Sequence, residues 1–219
     1  MFLTFSGLDG AGKSTLIAFA YDSIRQKGLD CRTITMYDHV GLYAMVRQLR
    51  DKLLGRPKES PKTVPDINPV DGSPAIASHF LLKMLRTRLT KKGVLLVDIA
   101  LFRLYRIWYE VLCRKILIVD RFFYDSLVDI ADGTHWRFID WCAALLPTPA
   151  LPCFIDVDAA TSFARKGEYS VEYLDFRYRC YKRIFSKVQN PFFLANNTRD
   201  SAQTDLRNQL EQRIFGRKR

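Results

Sequence analysis

The sequence predicts an α/β fold in which a five-stranded parallel sheet is flanked by helices as a three-layer sandwich. Short apolar runs alternate with amphipathic segments along the chain, a pattern typical of parallel sheets. A glycine-rich octapeptide, residues 7–14, lies between the first apolar run and the first amphipathic segment. The run Ile116–Asp120 is followed by Arg121, as expected of a buried strand that brings charged groups to the carboxyl edge of a sheet.

Residues 7–14 read Gly-Leu-Asp-Gly-Ala-Gly-Lys-Ser and match the phosphate-binding loop pattern G-x-x-x-x-G-K-[ST] in full. The apolar run Phe2–Phe5 precedes the loop as a predicted strand. Thr15–Lys27 follow with apolar residues at helical spacing, up to the stop signal Gly28. Because strand, loop and helix occur in the order that this motif requires, the sequence indicates a P-loop NTPase fold.

The chemistry expected of this loop is phosphate binding. Its glycines allow successive backbone N–H groups to turn toward a phosphate, and the following helix directs its positive N-terminal end to the same point. We expect Lys13 to reach the β- and γ-phosphates of ATP and Ser14 to ligate Mg²⁺. The loop residues expected to bind the cofactor are Gly7, Leu8, Asp9, Gly10, Ala11, Gly12, Lys13, Ser14 and Thr15.

Length and composition are typical of one globular domain. The 219 residues are 48% hydrophobic and 26% charged, and we expect no cleavable signal peptide ahead of the loop. The longest apolar run, Val94–Phe102, contains Asp98 and is too short to span a bilayer. Five scattered cysteines without C-x-x-C spacing indicate reduced core residues, so we expect a cytoplasmic protein.

The net charge of +11 leaves two classes of partner to weigh. One class is nucleic acid or an anionic membrane surface; the other is phosphorylated small molecules bound in a pocket. The basic residues are spread along the chain, and the only dense basic run is Arg217-Lys218-Arg219. We therefore favour a small phosphorylated acceptor, such as a nucleotide, over a nucleic-acid partner.

The elements after the first helix begin with a predicted strand, Cys31–Met36, and an amphipathic helix, Gly41–Leu54. Gly55–Pro74 contains five of the nine prolines of the chain, which excludes a regular element there. Loops of this length inside a compact domain are unusual, so this segment is interpreted as a Pro-rich insertion. A helix over residues 75–92 is predicted to follow.

The segment Val94–Asp98 has two interpretations. It ends in a carboxylate, as a short buried strand would, but no turn residue separates it from Ala100–Leu112, where apolar residues recur at helical spacing. We favour a helix for both segments. Ile116–Asp120 is the better strand, because it is a short apolar run that ends in an Asp-Arg pair.

The remaining chain is predicted to add two strands and two helices. The strands Pro152–Val157 and Pro191–Ala195 enclose a helix over Val171–Val188, and a last helix spans Ser201–Phe215 with Ser201 as its N-cap. These strands complete a parallel sheet of five, with ligands expected at the carboxyl ends of the strands.

Four segments resemble the thymidylate kinase family of nucleoside monophosphate kinases. They are Phe5–Thr15, Asp120-Arg121-Phe122, Phe154–Asp158 and the short basic segment Arg165-Lys166-Gly167, which precedes a long helix. Together they are spread over most of the chain, in the order that the family has. The resemblance implies a single kinase domain over residues 1–219, with the insertion at about 55–74 and a short lid at about 165–170.

The resemblance also implies an enzyme that transfers the γ-phosphoryl of Mg·ATP to a nucleoside monophosphate, with dTMP as the default acceptor. Asp9 would accept a hydrogen bond from the 3′-hydroxyl of the acceptor, and Asp120 would hold the Mg²⁺ shell. Arg121 would bind the phosphate of the acceptor, while Arg165 would join Lys13 in neutralising charge on the transferring group. Arg47 or Arg50 would be a second ligand of the phosphate. Further implied contacts are Phe122, Ser126 and Arg103 with the acceptor, and Asn196, Thr198 and Arg199 with the adenine.

Several alternatives stay open at this point. Asp120 could cap a strand end, Arg121 could form a structural ion pair, Arg165 could be a solvated surface charge, and Asp9 could only stabilise the loop. The alternative functions are a kinase for a different nucleotide, nucleoside or non-nucleotide acceptor, a nucleic-acid-processing P-loop protein, and a non-catalytic nucleotide-binding protein. A homodimer is also left open.

The acceptor half of the chain departs from the family. Val128-Asp129-Ile130 stand where the family has Ala-Tyr-Gln, whose last two residues recognise the deoxysugar and thymine. The arginine expected to stack on thymine would fall at Ile99, and Arg103 or Arg106 would have to replace it from one turn further on. The resemblance is therefore strong for the ATP site and weak for the acceptor site.

Overall fold

The computed structural model describes residues 1–36, 88–131, 136–196 and 198–216, and for residues 88–92 it describes the backbone alone. Five strands within these ranges form one sheet. They are β1 (Phe2–Gly7), β2 (Cys31–Thr35), β3 (Ile116–Asp120), β4 (Leu151–Asp156) and β5 (Phe192–Ala195). All neighbouring pairs are parallel, in the spatial order β2-β3-β1-β4-β5, which confirms the predicted five-stranded parallel sheet.

Helices occupy most of the described chain between the strands. They are α1 (Lys13–Gln26), α2 (Arg88–Ile107), α3 (Phe123–Ile130), α4 (Trp136–Leu145), α5 (Ala159–Lys166), α6 (Val171–Phe185) and α7 (Arg199–Leu210). Five-residue π-helical turns, Trp108–Leu112 and Glu211–Phe215, extend α2 and α7. The predicted helix Gly41–Leu54, the insertion at about 55–74 and most of the helix over 75–92 lie outside the described residues. None of the described helices combines the length and the apolar character that crossing a bilayer requires.

The central strand of the sheet is β1, which pairs with β3 on one side and β4 on the other. Phe5 lies opposite Asp120, and Gly7 lies opposite Ile155. Because the strands are parallel, their carboxyl ends lie at one edge of the sheet. The loop that follows β1 is therefore placed between the ends of β3 and β4.

Buried aromatic rings fix the helices that flank this loop. Phe2 of β1 packs against Phe102 of α2 at 5.6 Å between ring centroids, and against Phe122, which precedes α3, at 5.7 Å. Phe154 of β4 contacts Tyr181 of α6 at 5.5 Å. Each of these side chains is at most 1% exposed. Rings of this size remove a large apolar area from water, so these contacts anchor α2, α3 and α6 to the sheet.

Helix α2 confirms the helical interpretation of Val94–Asp98. Leu95, Ile99 and Phe102 are buried at the spacing of one helix face. The chain from Arg88 to Ile107 is one continuous helix, so the end of the helix predicted over 75–92 and the helix predicted from Val94 are parts of the same element. Gly93 lies inside it, where the weak helix propensity of glycine is overridden by the packing of this face.

The start of α7 corrects the predicted N-cap. Thr198, with extended backbone angles, is the N-cap, and Ser201 lies inside the first turn. The Ser201 hydroxyl donates to the Thr198 carbonyl at 3.2 Å and lies 2.8 Å from the Thr198 hydroxyl. Threonine and serine are both favourable N-caps. The position at which the chain leaves β5 decides which of the two begins the helix.

Candidate active site

The loop between β1 and α1 depends on glycine at two positions. Gly10 and Gly12 have φ angles of +89° and +90°, in the left-handed region that favours glycine. Gly12 is the N-cap of α1, and no described side chain caps this helix. A Cβ at Gly12 would lie 2.5 Å from the side-chain nitrogen of Asn196. The first N–H groups of α1 have no partner within the helix, so this end of α1 suits an anion such as a phosphate.

Lys13 places a buried cation within the loop. Its side chain is 8% exposed, and its Nζ donates to the carbonyl oxygens of Gly7 and Leu8 at 2.8 Å each. The carboxylate of Asp9 lies 3.7 Å from the same nitrogen. Burial lowers the pKa of Lys13, whereas the charge of Asp9 opposes this shift. The loop therefore holds a desolvated cation beside the N-terminus of α1.

The end of β3 brings Asp120 and Arg121 next to the loop. The Arg121 N–H donates to the carbonyl of Phe5 at 3.2 Å, which continues the β3–β1 pairing past the strand. Arg121 has a φ of +53°, a conformation that costs energy in a residue other than glycine. Its guanidinium binds Asp9 at 2.6 Å. Burial tends to raise the pKa of Asp9, but the charges of Lys13 and Arg121 outweigh burial and hold this pKa below its ordinary value.

Asp120 and Ser14 have the oxygen atoms that a magnesium site needs. The Oδ1 atom of Asp120 is buried and accepts no hydrogen bond from the described residues. Burial also raises the pKa of Asp120, against the charge of Lys13. Ser14, which is exposed at the start of α1, lines the same shallow pocket of about 390 Å³ as Asp120. Carboxylate and hydroxyl oxygens are suitable ligands for Mg²⁺, so these residues fit the ion.

Only the first two residues of the predicted lid, Arg165 and Lys166, lie in helix α5, and residues 167–170 connect α5 to α6. Helix α5 packs directly on the loop. The Ser162 hydroxyl donates to the backbone carbonyl of Asp9. A Cβ at Gly10 would lie 2.7 Å from the Ser162 carbonyl, so the close approach depends on glycine. Asp158 caps α5 by accepting from the Thr161 N–H at 2.8 Å, and Gly167 ends the helix with a φ of +65°.

The structure also brings Arg165 and Asn196 to the loop. The Arg165 guanidinium donates to the backbone carbonyl of Asn196 at 2.9 Å. The side chain of Asn196, which follows β5, donates to the carbonyl of Ala11 at 2.6 Å. Thr198 and Arg199 are exposed at the start of α7. Of the residues predicted to border the adenine, Asn196 thus contacts the loop, whereas Thr198 and Arg199 lie at the surface.

Two residues predicted to contact the acceptor lie elsewhere. Phe122 is completely buried among the aromatic rings around Phe2, so its side chain belongs to the core. Arg103 donates to the carbonyl of Leu145 at 2.6 Å, in the segment that leads to the amino end of β4. The loop is at the opposite, carboxyl edge of the sheet. These placements do not support the predicted contacts of Phe122 and Arg103 with an acceptor.

The other predicted acceptor residues are distributed differently. Asp9 and Arg121 are in direct contact beside the loop, as described above. Ser126 is half-buried on α3, the helix that follows Arg121. Arg47 and Arg50 lie outside the described residues. The described part of the predicted acceptor site is therefore the region between the loop, the end of β3 and α3.

Sequence patterns missed a buried polar network beneath the loop. The carboxylate of Asp125, on α3, accepts hydrogen bonds from the Ser6 hydroxyl and the Tyr181 hydroxyl, each at 2.7 Å. Burial raises the pKa of Asp125 to about 6. The sequence contains one signal of this network. Asp125 is the only carboxylate in the run Phe122–Val128, which is otherwise aromatic and apolar except for Ser126. A carboxylate on an apolar helix face requires partners from elsewhere in the fold.

A second missed group is the ion pair of Arg177 with Asp129. Arg177 lies on α6, and its guanidinium binds the carboxylate of Asp129, on α3, at 2.6 Å. The Tyr173 hydroxyl lies 3.1 Å from the same guanidinium nitrogen. Sequence spacing alone could not reveal this contact, because the two charged residues are 48 positions apart.

Comparison of the chain with models of protein families gives no match, and comparison with curated proteins gives none either. The case for a function therefore depends on the loop, the charged residues around it and the physical chemistry of those groups.

Proposed function

We propose that this chain is an ATP-dependent kinase of the thymidylate kinase type, which transfers the γ-phosphoryl of Mg·ATP to a nucleoside monophosphate, with dTMP as the default acceptor. The observation that carries the proposal is the loop of residues 7–14. It joins a central parallel strand to the uncapped start of α1, and it contains left-handed Gly10 and Gly12 and the buried Lys13. This combination matches what triphosphate binding requires.

The surrounding charges support phosphoryl transfer as the reaction. In the proposed step, an oxygen of the acceptor phosphate attacks the γ-phosphorus, and the bond from this phosphorus to the β–γ bridging oxygen breaks. ADP leaves with that electron pair. The chain supplies little covalent chemistry, because the barrier is lowered by positioning and by cations around the transferring group. Lys13, Arg121 and Arg165 are the cations assigned to this task.

Each cation has a distinct assignment. Lys13 neutralises the β- and γ-phosphates, and Arg165 reaches the transferring group from the lid. Arg121 binds the acceptor phosphate; its side chain is 32% exposed although it is paired with Asp9. A guanidinium has five N–H donors, so a pair with one carboxylate leaves donors for a phosphate. Ser14 and Asp120 would hold Mg²⁺, which supplies charge neutralisation of the β- and γ-phosphate oxygens when bound.

The proposal places the enzyme in the cytoplasm and gives it two small substrates, Mg·ATP and a nucleotide. The contact of Asp9 with Arg121 is compatible with binding of the nucleotide. A carboxylate next to the phosphate-binding arginine can accept a hydrogen bond from a sugar hydroxyl while it orients the guanidinium. The two roles of Asp9, stabilising the loop and contacting the acceptor, are therefore compatible.

The test replaces Lys13 by alanine and uses Lys27→Ala as the matched control. Lys27 is at the other end of α1, half exposed, and pairs with Glu211 at the surface. Wild type is first assayed for ADP release with dTMP, dUMP, dCMP, UMP and thymidine as acceptors. With the best of these, Lys13→Ala is expected to lose turnover by on the order of 10³-fold, because removing preorganised positive charge costs several kcal/mol in the transition state.

Thermal unfolding is measured on the same samples, and Lys27→Ala is expected to retain both turnover and stability. Turnover of Lys13→Ala within a few-fold of wild type would contradict the kinase assignment. ATP binding by the wild type with no transfer to any of the five acceptors would favour a non-catalytic nucleotide-binding protein. Strong, salt-sensitive binding of an oligonucleotide would favour a nucleic-acid-processing protein instead.

A further inference from the structure

The side of the loop that faces α3 and α6 contains a second arginine. The guanidinium of Arg177 is held at one nitrogen by two groups, the carboxylate of Asp129 at 2.6 Å and the hydroxyl of Tyr173 at 3.1 Å. It also lies over the rings of Tyr173 and Tyr181, with 5.7 Å and 6.0 Å to the ring centroids. The side chain is 16% exposed. A guanidinium fixed in this way has lost its rotamer freedom before any ligand arrives.

One ring contact and two hydrogen bonds connect this arginine to the strand beneath the loop. Tyr181, whose ring contacts Arg177, donates its hydroxyl to Asp125, and Asp125 also accepts from Ser6 of β1. Burial raises the pKa of Asp9, and four nearby positive charges lower it. In order of decreasing effect, these charges are Lys13, Arg121, Lys166 and Arg177. Arg177 therefore shares two neighbours with Arg121: the carboxylate of Asp9 feels the charge of both arginines, and Tyr181 lies near both.

The pair also explains how this site tolerates a negative charge at Asp129. By itself a carboxylate here would repel a phosphate, but Arg177 compensates its charge. Arg179 and Asp175 form a similar pair on the same helix at 2.7 Å, yet Arg179 is 72% exposed. An exposed pair of this kind contributes little to stability. The contrast shows that Arg177, unlike Arg179, is oriented by partners from a second helix and from two aromatic rings.

We propose that Arg177 is a further phosphate-binding arginine of the acceptor site besides Arg121, and that Asp129 and Tyr173 position its guanidinium. This inference rests on the proposed kinase function and specifies its acceptor class as phosphomonoesters. Two arginines, Arg121 and Arg177, would bind separate oxygens of the acceptor phosphate, and each is oriented by an aspartate. Planar guanidinium groups suit phosphate because each can bind two oxygens at once. A free nucleoside would leave both arginines without this partner.

The experiment compares Arg177→Gln with Arg179→Gln as its matched control. The acceptor is whichever of dTMP, dUMP, dCMP and UMP the wild type phosphorylates with the highest kcat/KM. Arg177→Gln is expected to raise the acceptor KM by about 10–100-fold, the range for losing a charged hydrogen bond, with the KM for ATP within about twofold. Arg179→Gln is expected to change neither constant. Thymidine, tested as an inhibitor, is expected to bind both variants and wild type equally weakly.

A double variant separates phosphate binding from simple charge compensation. If Arg177 only neutralises Asp129, then Arg177→Gln combined with Asp129→Asn restores the wild-type acceptor KM, and the proposal is overturned. If Arg177 contacts the phosphate, the double variant keeps the raised KM, while Asp129→Asn alone raises KM by only about threefold through a loosened guanidinium.

Protein folding is monitored by thermal unfolding. If Arg177→Gln does not fold, Arg177→Lys replaces it: lysine retains the charge but loses the planar fork, so KM for the acceptor is still expected to rise at least about threefold. An unchanged KM in that variant overturns the proposal. Wild-type protein that phosphorylates none of the four monophosphates refutes the proposed function itself, whereas wild-type turnover with an Arg177→Gln KM equal to that of Arg179→Gln refutes only this inference.

Discussion

Replacement of the buried carboxylate of Asp125 should change how stability depends on pH. Asp125 is fully buried, and its pKa in the folded chain is raised from an ordinary value of 3.8 to about 6, first by burial and against the charge of Lys13. An acid whose pKa is raised by folding binds more protons in the folded state than in the unfolded state between these two values. The free energy of unfolding therefore falls as pH rises from about 4 to about 6.

The magnitude follows from the two pKa values. The full difference corresponds to about 3 kcal/mol, of which about 2 kcal/mol is lost between about pH 4.5 and pH 7.5. Asp125→Asn removes this titration, and its amide can still pair with the hydroxyls of Ser6 and Tyr181, because a hydroxyl both donates and accepts. The variant is therefore expected to gain stability relative to wild type as the pH is raised.

The assay is urea unfolding of both proteins at several pH values, with the unfolding midpoint and slope fitted at each. The difference in unfolding free energy between variant and wild type should increase by about 2 kcal/mol from about pH 4.5 to pH 7.5. In a thermal scan, this corresponds to about 4–8 °C in Tm for a chain of this size. Parallel pH profiles for the two proteins would refute the argument that Asp125 titrates in the folded state.

Three further predictions concern the loop, the lid and the acceptor. Gly10→Ala should lower the free energy of unfolding by about 1–3 kcal/mol in urea titrations, because Gly10 has a φ of +89° and the added Cβ would clash with the Ser162 carbonyl. An unchanged unfolding midpoint would show that α5 does not constrain the loop. Arg165→Ala should lower kcat by on the order of 10²-fold with little change in the KM for ATP, and an effect on KM alone would make Arg165 a surface charge. Discrimination between dTMP and dCMP, measured as the ratio of kcat/KM, should stay below about 10³-fold, because Ile130 stands where the thymidylate kinase family has a hydrogen-bonding glutamine; a larger ratio would mean that other residues contact thymine.

The strands were predictable because their signal is local. Each of the five predicted strands matches an observed strand to within two residues, from Phe2–Gly7 to Phe192–Ala195. Buried parallel strands are short continuous apolar runs, so a few consecutive residues are enough to identify them. The same locality made Val94–Asp98 ambiguous, since a short apolar run fits a strand or a buried helix face. Burial of Leu95, Ile99 and Phe102 on one face of α2 decided for the helix.

Helix starts were harder to predict, because several residues compete for the same role. Thr198 and Ser201 are both good N-caps, and the observed start depends on where β5 ends and how the chain leaves the sheet. Helices α3, α4 and α5 were not assigned from the sequence at all. They are short, and their apolar faces are defined by packing against neighbouring helices rather than by a long periodic pattern: α3 packs against α2, α4 and α6, and α5 packs against α6.

The sequence alone determined the glycine-rich loop between β1 and α1, because its eight residues are consecutive and its conformation depends on its own backbone and on the helix that follows. Only the tertiary structure decided which groups surround the loop on the side of α3 and α6. Arg177 meets Asp129 across 48 positions, Tyr181 meets Asp125 across 56, and Ser6 meets Asp125 across 119. These contacts require the strand order β2-β3-β1-β4-β5 and the packing of α3 against α6, which no local pattern specifies. The fold likewise buried the ring of Phe122 and placed Arg103 at the far edge of the sheet, since the direction of a side chain depends on the elements that pack around it.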